Sequence, residues 1–363
     1  MEITGKITGV IRYEARLLKR LEERELRSFD INDAPSYCVV KDGFYRFGVS
    51  KWVSPKRTRS YPYERVYNTL GCSKKITIIP IVKDEGKNGD RDFIQWDTIL
   101  LMSLLDVYVI LAHYSQASVK ERKITDQKFD NNYVVSKIKE IEKCHSSALH
   151  WNLKEIDSLA TLIQEAKNSC KKIEKQIGII LHNVKGLDDF QAKITKEVST
   201  FKEFSRLKAA QAQKREFATS QPKESLATIT KAKITIGNYL GGLYYFTVDE
   251  TRIEKDALFL IESKHSRNAI LPSQADIKDG LLKMILYSNL SDVTANDKAL
   301  NCVAVLNLTS QKLAGNISSV SSDTDFDAYA KSVKLLPNAK KLIAALFEEA
   351  RKNRFIVNIG GVK

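Results

Sequence analysis

"DALFLIESKHS", residues 256–266, is the stretch on which the C-terminal part of this chain turns. Leu258, Phe259, Leu260 and Ile261 form a short apolar run of the kind a buried strand uses, with charged turn residues before it. The run then closes on Glu262, Ser263 and Lys264. Side chains alternate faces along a strand, so Glu262 and Lys264 point the same way, past the edge of whatever Leu258 and Leu260 bury. Such a pair is either a solvated ion pair worth at most about 1 kcal/mol or the polar part of a site.

The surrounding elements give that pair a context. The strand "GLYYFTVD" (242–249) leads through a polar turn, "ETRIEKD" (250–256), to the strand in question. A helix, "QADIKDGLLKMILYSN" (274–289), follows, and then a further strand, "NCVAVLNLT" (301–309). A hairpin followed by a helical crossover to another strand predicts a small mixed α/β sheet with a right-handed crossover. After a Ser- and Asp-rich loop (318–327), a last helix (338–353) and a last strand, "RFIVNIGG" (354–361), extend the same sheet.

An acid ending one hairpin strand, Glu262-x-Lys264 ending the next, then a helix with basic residues and another strand: over residues 241–308 this order resembles the PD-(D/E)xK nuclease core shared by many restriction endonucleases. The resemblance implies that a first acid and the Glu of the triplet bind a divalent metal, Mg²⁺, and that the Lys positions or activates the attacking water. Carried over, Glu262 is a metal ligand and Lys264 orients water. Asp249 is the preferred first acid, with Glu250 and Asp256 as alternatives; no proline precedes Asp249. Such cores also use a Glu from an upstream helix, for which Glu216 and Glu224 both stand in the right region. Lys278 and Lys283 in the following helix are expected near phosphates, against the plainer reading of solvent-facing helix lysines. The chemistry suits the residue types: two carboxylates holding Mg²⁺ supply a Lewis acid and lower the pKa of bound water, and a lysine beside them can place that water.

The 363 residues carry 58 Lys and Arg against 44 Asp and Glu, a net charge of +14, so polyanions, and nucleic acid first among them, are the expected partners. Basic and aromatic residues concentrate in "SKWVSPKRTRSYPYERVYNT" (50–69). Here Lys56, Arg57, Arg59, Tyr61, Tyr63 and Arg65 are the candidate DNA contacts, on a segment that Pro55 and Pro62 are expected to keep extended. The competing reading is an ordinary basic loop anchored by Trp52 and its tyrosines.

Other constellations are weaker. Five cysteines without a CxxC pair argue against a disulfide framework and a zinc cage, and fit a reducing cytoplasm. The acidic loop "KDEGKNGDRDFIQWD" (83–97) lacks EF-hand spacing. Cys144, His145 and His150 are too irregular for zinc, and His113 and His182 are isolated. No P-loop, dinucleotide glycine fingerprint or GxSxG is present, so no nucleotide cofactor is expected. The N-terminal 25 residues lack a signal-peptide core. "WDTILLMSLLDVYVILAHY" (96–114) is interrupted by Asp97 and Asp106 and reads as a buried helix followed by a strand, not a membrane span.

The expected fold is mixed α/β (α+β). It comprises an N-terminal mixed module (1–130), a helical region (131–220) with a break near Gly186, and a C-terminal restriction-endonuclease-like sheet domain (221–363). The expected function is Mg²⁺-dependent hydrolysis of double-stranded DNA by a sequence-specific, type II-like endonuclease, with a homodimer implied by the resemblance. The alternatives are a non-catalytic DNA-binding or assembly protein, and a defence or repair nuclease acting on other nucleic-acid structures.

Overall fold

Burial alternates along residues 2–7 (Ile3 and Ile7 inside, Glu2, Thr4 and Lys6 outside), the signature of a strand with one covered face. In the computed structural model this strand belongs with the C-terminal part of the chain. The described residues are all except 10, 56–60, 88, 121–122, 179–180, 182–184, 197–200, 204, 208–209, 212, 215–229 and 362–363, and the side chains of 61, 62, 123, 193–196 and 230 are also outside the description. The chain divides into two units, one of residues 1–18 with 209–363 and one of residues 19–208. The expected boundaries at 130 and 220 are therefore replaced by a discontinuous unit and a continuous one. A parallel partner more than 200 residues away leaves no local mark in a sequence.

The discontinuous unit is built on a nine-stranded mixed sheet. At its centre Thr230–Asn238, Leu243–Glu254 and Ala257–Ser266 form an antiparallel meander. Asn301–Ser310 lies parallel beside Ala257–Ser266, and Ile356–Gly361 lies parallel beside that. Glu2–Ile7 pairs parallel with Thr230–Asn238 and antiparallel with Ser291–Ala295. The expected hairpin, helix and strand at 301–310 are present, but Thr230–Asn238 precedes them and a second short hairpin, Ser291–Ala295 with Lys298–Ala299, stands between the helix and Asn301–Ser310.

The helix Gln274–Tyr287 leads from the meander to Ser291–Ala295, which pairs with the N-terminal strand, before the chain returns to Asn301–Ser310. Ser273 caps the helix, its hydroxyl accepting from the Asp276 N–H, and Ile277, Leu281, Leu282, Met284 and Ile285 are buried. Burying each such side chain stabilises the unit by roughly 1.5–3 kcal/mol. The hairpin is longer than the polar residues 250–256 suggested. Pairing runs to Glu254 opposite Ala257, leaving Lys255 and Asp256 as the turn, with Lys255 at φ 55°. Cross-strand contacts carry the ladder through this segment: Arg252 lies over the Phe259 ring, 4.7 Å from its centroid, and Ile253 pairs with Leu258.

The continuous unit has a five-stranded sheet in the order Glu23–Glu25, Tyr37–Asp42, Tyr45–Lys51, Lys74–Pro80, Val107–Ala112. The helix Trp96–Leu104 leads into Val107–Ala112, whose residues are all buried, as the apolar segment implied. That edge strand is closed by a neighbouring helix, Ala148–Asp157. Asn152 accepts from the Val109 N–H (2.7 Å) and donates to the Val107 carbonyl (2.9 Å), and the Trp151 indole donates to the Val109 carbonyl (2.7 Å). Side chains thus take the place of a further strand. The long helix Leu159–Ile177 ends at Gly178, which adopts φ 67° and so stops the helix, while Gly186 lies in the first turn of Lys185–Lys196. The break thus begins at Gly178, and the next helix begins at Lys185, beside Gly186.

Part of the basic aromatic segment also differs from expectation. Residues Tyr61–Thr69 are helical, because a proline at the second position of a helix gives up an N–H that has no intrahelical acceptor anyway. Tyr63 is buried edge-on against Trp52, with ring centroids 6.1 Å apart, and Tyr67 is fully buried. Tyr63 is a core residue and does not present its ring to DNA. Arg65 is half-buried and donates through Nη1 to the Lys51 carbonyl (2.6 Å). Lys56, Arg57, Arg59, the Tyr61 side chain, His182, Glu216 and Glu224 lie outside the described residues. Among the described residues no helix is long and apolar enough to cross a membrane.

Ile3 is about 1% exposed in a strand flanked on both sides. Ile3→Ala is expected to destabilise the discontinuous unit by about 2–4 kcal/mol, read as a lower midpoint in urea unfolding. An unchanged midpoint would mean that the N-terminal strand does not belong to the sheet.

Candidate functional site

Pairing in the hairpin reaches Glu250 opposite Ile261, and there the strand bulges against Thr230–Asn238. Asp249, next along, lies close enough to Glu262 for the two charges to interact. The Asp249 carboxylate also reaches across the hairpin, its Oδ2 accepting from the Ser263 N–H at 2.9 Å. Glu250, one residue along, faces the other side with Ile261. Asp256 sits in the turn at the far end of the pair, where its carboxylate meets exposed Lys298 at 3.4 Å. Neither alternative first acid joins Glu262, and Asp249 does.

Glu262 does not lie at the end of its strand, which runs on to Ser266. It is 2% exposed, and its two oxygens are held by different ammonium groups: Oε1 by Lys264 at 3.0 Å and Oε2 by Lys283 at 2.7 Å. Lys283 also donates to the Thr247 carbonyl (3.3 Å), and Lys264 to Asp279 Oδ2 (2.6 Å). Asp279 and Lys283 are four apart on the helix Gln274–Tyr287, hence on one face of it. Five groups therefore converge: Asp249 from one strand, Glu262 and Lys264 from the next, Asp279 and Lys283 from the crossover helix.

The remaining candidates are placed elsewhere. Lys278 is fully buried and does not reach a phosphate on the surface. Lys283 is tied to Glu262 instead of standing free for phosphate. His265 points to the opposite face from Lys264, where its Nδ1 lies 3.0 Å from the Thr309 hydroxyl. Asp279 was not singled out in the sequence. Its signal there is its position as the sixth residue of the helix that follows the strand, one turn before Lys283, and an acid on an amphipathic helix is too common to draw attention.

The electrostatics differ between the two neighbouring carboxyls. Burial raises the Asp249 pKa, the neighbouring Glu262 charge raises it further, and together they outweigh Lys283 and the Ser263 N–H to push it up to about 6. Burial also penalises the Glu262 carboxylate, but Lys283 and Lys264 prevail and hold it below the ordinary glutamate range. Burial disfavours the charge on Lys264 and on Lys283, but Glu262 together with Asp279 at Lys264, and with Tyr287 and Asp249 at Lys283, outweighs it, so both ammonium groups are held above the usual lysine range. With Asp249 ionised these five groups carry one net negative charge; with Asp249 protonated they balance.

A site short of one positive charge, with two neighbouring carboxylates on a hairpin, suits a divalent cation. Among the described residues no three His, Cys, Asp or Glu side chains converge on one cation position. Asp249 and Glu262 would therefore supply two carboxylates, with main-chain oxygen and water completing the shell, a donor set characteristic of Mg²⁺. At this end of the sheet the opposite face, to which Ser263 and His265 point, carries amides and hydroxyls. There Asn307, Thr309, Asn316, Ser318, Ser321 and Asn358 line a pocket of about 380 Å³, with Asn358 donating to Asn307 at 2.9 Å. The side chains lining that pocket offer hydrogen bonds but no acid or base.

No protein-family model, curated protein or solved structure matches this chain.

An aspartate whose pKa is higher folded than unfolded favours the folded state when protonated, so stability falls as pH rises from about 4 through about 6, by on the order of 1–3 kcal/mol. Asp249→Asn, which keeps an acceptor for Ser263, is expected to raise the thermal midpoint at pH 7.5 and to leave it nearly unchanged at pH 4. Glu262→Gln leaves two ammonium groups without their carboxylate and is expected to destabilise at pH 7.5 by about 3–5 kcal/mol. Midpoints moving in the same direction for both variants at pH 7.5 would contradict this assignment of charges.

Proposed function

We propose that this protein is a Mg²⁺-dependent endonuclease that hydrolyses phosphodiester bonds in double-stranded DNA, with sequence-specific, type II-like cleavage as its preferred form. The observation that carries this reading is the closeness of Asp249 to Glu262 in the hairpin, with Lys264 on the same face as Glu262. Support also comes from the element order of meander, helix and parallel strand, and from the net charge of +14.

Asp249 and Glu262 would hold the metal, whose chemistry is to polarise a phosphoryl oxygen and acidify bound water. Glu262, buried and ionised, is the fixed ligand. Asp249, easily protonated, makes cation affinity fall as pH drops through about 6. Lys264 directs an N–H into the same space and can orient a water or neutralise a phosphate oxygen. The type II assignment and the homodimer rest on the resemblance.

A second reading is favoured by one specific observation. Both Glu262 oxygens are already satisfied by lysines, which is what a structural ion-pair network requires. On that reading the chain is a non-catalytic DNA-binding or assembly protein.

Incubation of an unmethylated phage genome with the protein and Mg²⁺ is expected to yield discrete fragments. Their formation should stop with EDTA and fall at least about 10³-fold in Asp249→Ala, Glu262→Ala and Lys264→Ala. Random degradation with the same dependence would keep the nuclease and replace restriction by a defence or repair activity. Salt-sensitive DNA binding without cleavage in all four proteins would favour the second reading.

A further inference from the structure

Two strands of the continuous unit stand apart from its five-stranded sheet. Tyr114–Lys120 and Lys123–Phe129 pair antiparallel as a ribbon of their own. On the inner face Tyr114 stacks on Phe129, with ring centroids 4.6 Å apart; both are buried, as is Ile124, and Ala117 packs against the same core as the two rings. The edge of Lys123–Phe129 is fastened as well. The Ile124 N–H donates to the Glu85 carbonyl at 3.3 Å, and the Gln127 side chain donates to the Asp84 carbonyl. A ribbon held in this way presents its other face to solvent in a fixed geometry.

Directly paired residues share a face, so Gln116 with Lys128 and Ser118 with Thr125 form the outer face, with Lys120 at its end. Gln116, Ser118, Lys120 and Lys128 are exposed. None of the four has a side-chain hydrogen bond or ion pair to a described residue. Other lysines of this unit are committed: Lys83 to Glu85, Lys137 to Glu155, Lys167 to Asp188, and Lys74 to the Ile141 and Cys144 carbonyls. The acid beside the outer face is Asp126, which stands at a bulge with φ 47° and accepts from the Thr125 hydroxyl at 3.5 Å.

This face has the dimensions and chemistry of a groove reader. Side chains two residues apart on a strand repeat about every 6.8 Å, twice the spacing of about 3.4 Å between base pairs. A two-stranded ribbon fits the B-DNA major groove, about 12 Å wide. A glutamine amide matches the donor and acceptor of adenine N6 and N7, hydroxyls serve any base, and uncommitted ammonium groups toward both ends of the face neutralise phosphates.

We propose that the outer face of this ribbon lies in the major groove of double-stranded DNA, with Gln116 contacting a base edge and Lys120 and Lys128 contacting phosphates. The inference rests on duplex DNA as the partner, a premise shared by the nuclease and the non-catalytic readings, and it needs no metal. It assigns DNA contact to an element outside the basic aromatic segment 50–69.

The test is fluorescence anisotropy with the full chain in EDTA, on duplexes that the unmodified protein selects from a random-sequence pool. Lys120→Ala combined with Lys128→Ala is expected to weaken binding to selected and unselected duplexes alike by about 10-fold at 0.1 M salt, and to reduce the slope of log affinity against log salt by about 1.8. Gln116→Ala is expected to lose about 5–150-fold on the selected duplex alone, with the salt slope unchanged. Replacing one adenine of that duplex by 7-deazaadenine, which lacks N7, should cost the unmodified protein affinity and cost Gln116→Ala nothing further. Thermal midpoints should not move, since these side chains are exposed. An unchanged salt slope in the double lysine variant, or an unchanged selected sequence in Gln116→Ala, would overturn the proposal and leave DNA as the partner. A pool that yields no preferred sequence would do the same. Duplex RNA bound as tightly as DNA would overturn the groove assignment, because side chains do not enter the narrow major groove of RNA. No DNA binding by the unmodified protein at low salt would overturn this proposal together with both readings of the function.

Discussion

One buried carboxylate organises the polar cluster of the discontinuous unit. Glu262 sits on a central strand at 2% exposure, where an unpaired charge would be prohibitive, and it persists because two ammonium groups meet its two oxygens. That requirement fixes much around it. The crossover helix must present Lys283 toward the strand, the next residue on the same strand face must be Lys264, and the helix must lie close enough for Asp279 to balance Lys264. The apolar contacts of Ile277, Leu281 and Ile285 fasten the helix to the sheet, and the ion pairs determine which of its faces the polar groups occupy.

The result is a polar cluster built for imbalance. A structural ion pair is most stable when charges cancel, and here they cancel only when Asp249 is protonated. An aspartate held near a pKa of 6 within a sheet is a destabilising feature at neutral pH. The closeness of Asp249 and Glu262 in the hairpin, rather than the ion pairs alone, is what separates a metal-site reading from a purely architectural one.

The two faces of the same sheet also divide their chemistry. Alternation along Ala257–Ser266 sends Glu262 and Lys264 toward the helix and Ser263 and His265 away from it, into a surface of amides and hydroxyls shared with Asn301–Ser310 and Ile356–Gly361. A period of two in one strand thus segregates all the charge of the site on one side. The discontinuous unit is completed by a strand from the other end of the chain, Glu2–Ile7, whose two buried isoleucines cover a sheet edge that Thr230–Asn238 would otherwise expose.

The sequence by itself determined the mixed α/β character, the order of hairpin, helix and strand, the buried helix and strand at residues 96–112, and the shared face of Glu262 and Lys264. All of these follow from local periodicity, which a strand or helix imposes on neighbouring residues. Only the tertiary structure decided that Asp249, not Glu250 or Asp256, lies beside Glu262, because the choice depends on where the hairpin turns, and cross-strand contacts moved that turn to Lys255 and Asp256. The same holds for the burial of Lys278 and Tyr63, for the helix beginning at Tyr61, for the membership of residues 1–18, and for Asp279. Each depends on which face of an element meets another element far away in the chain, and a pattern of charges along one segment does not record that.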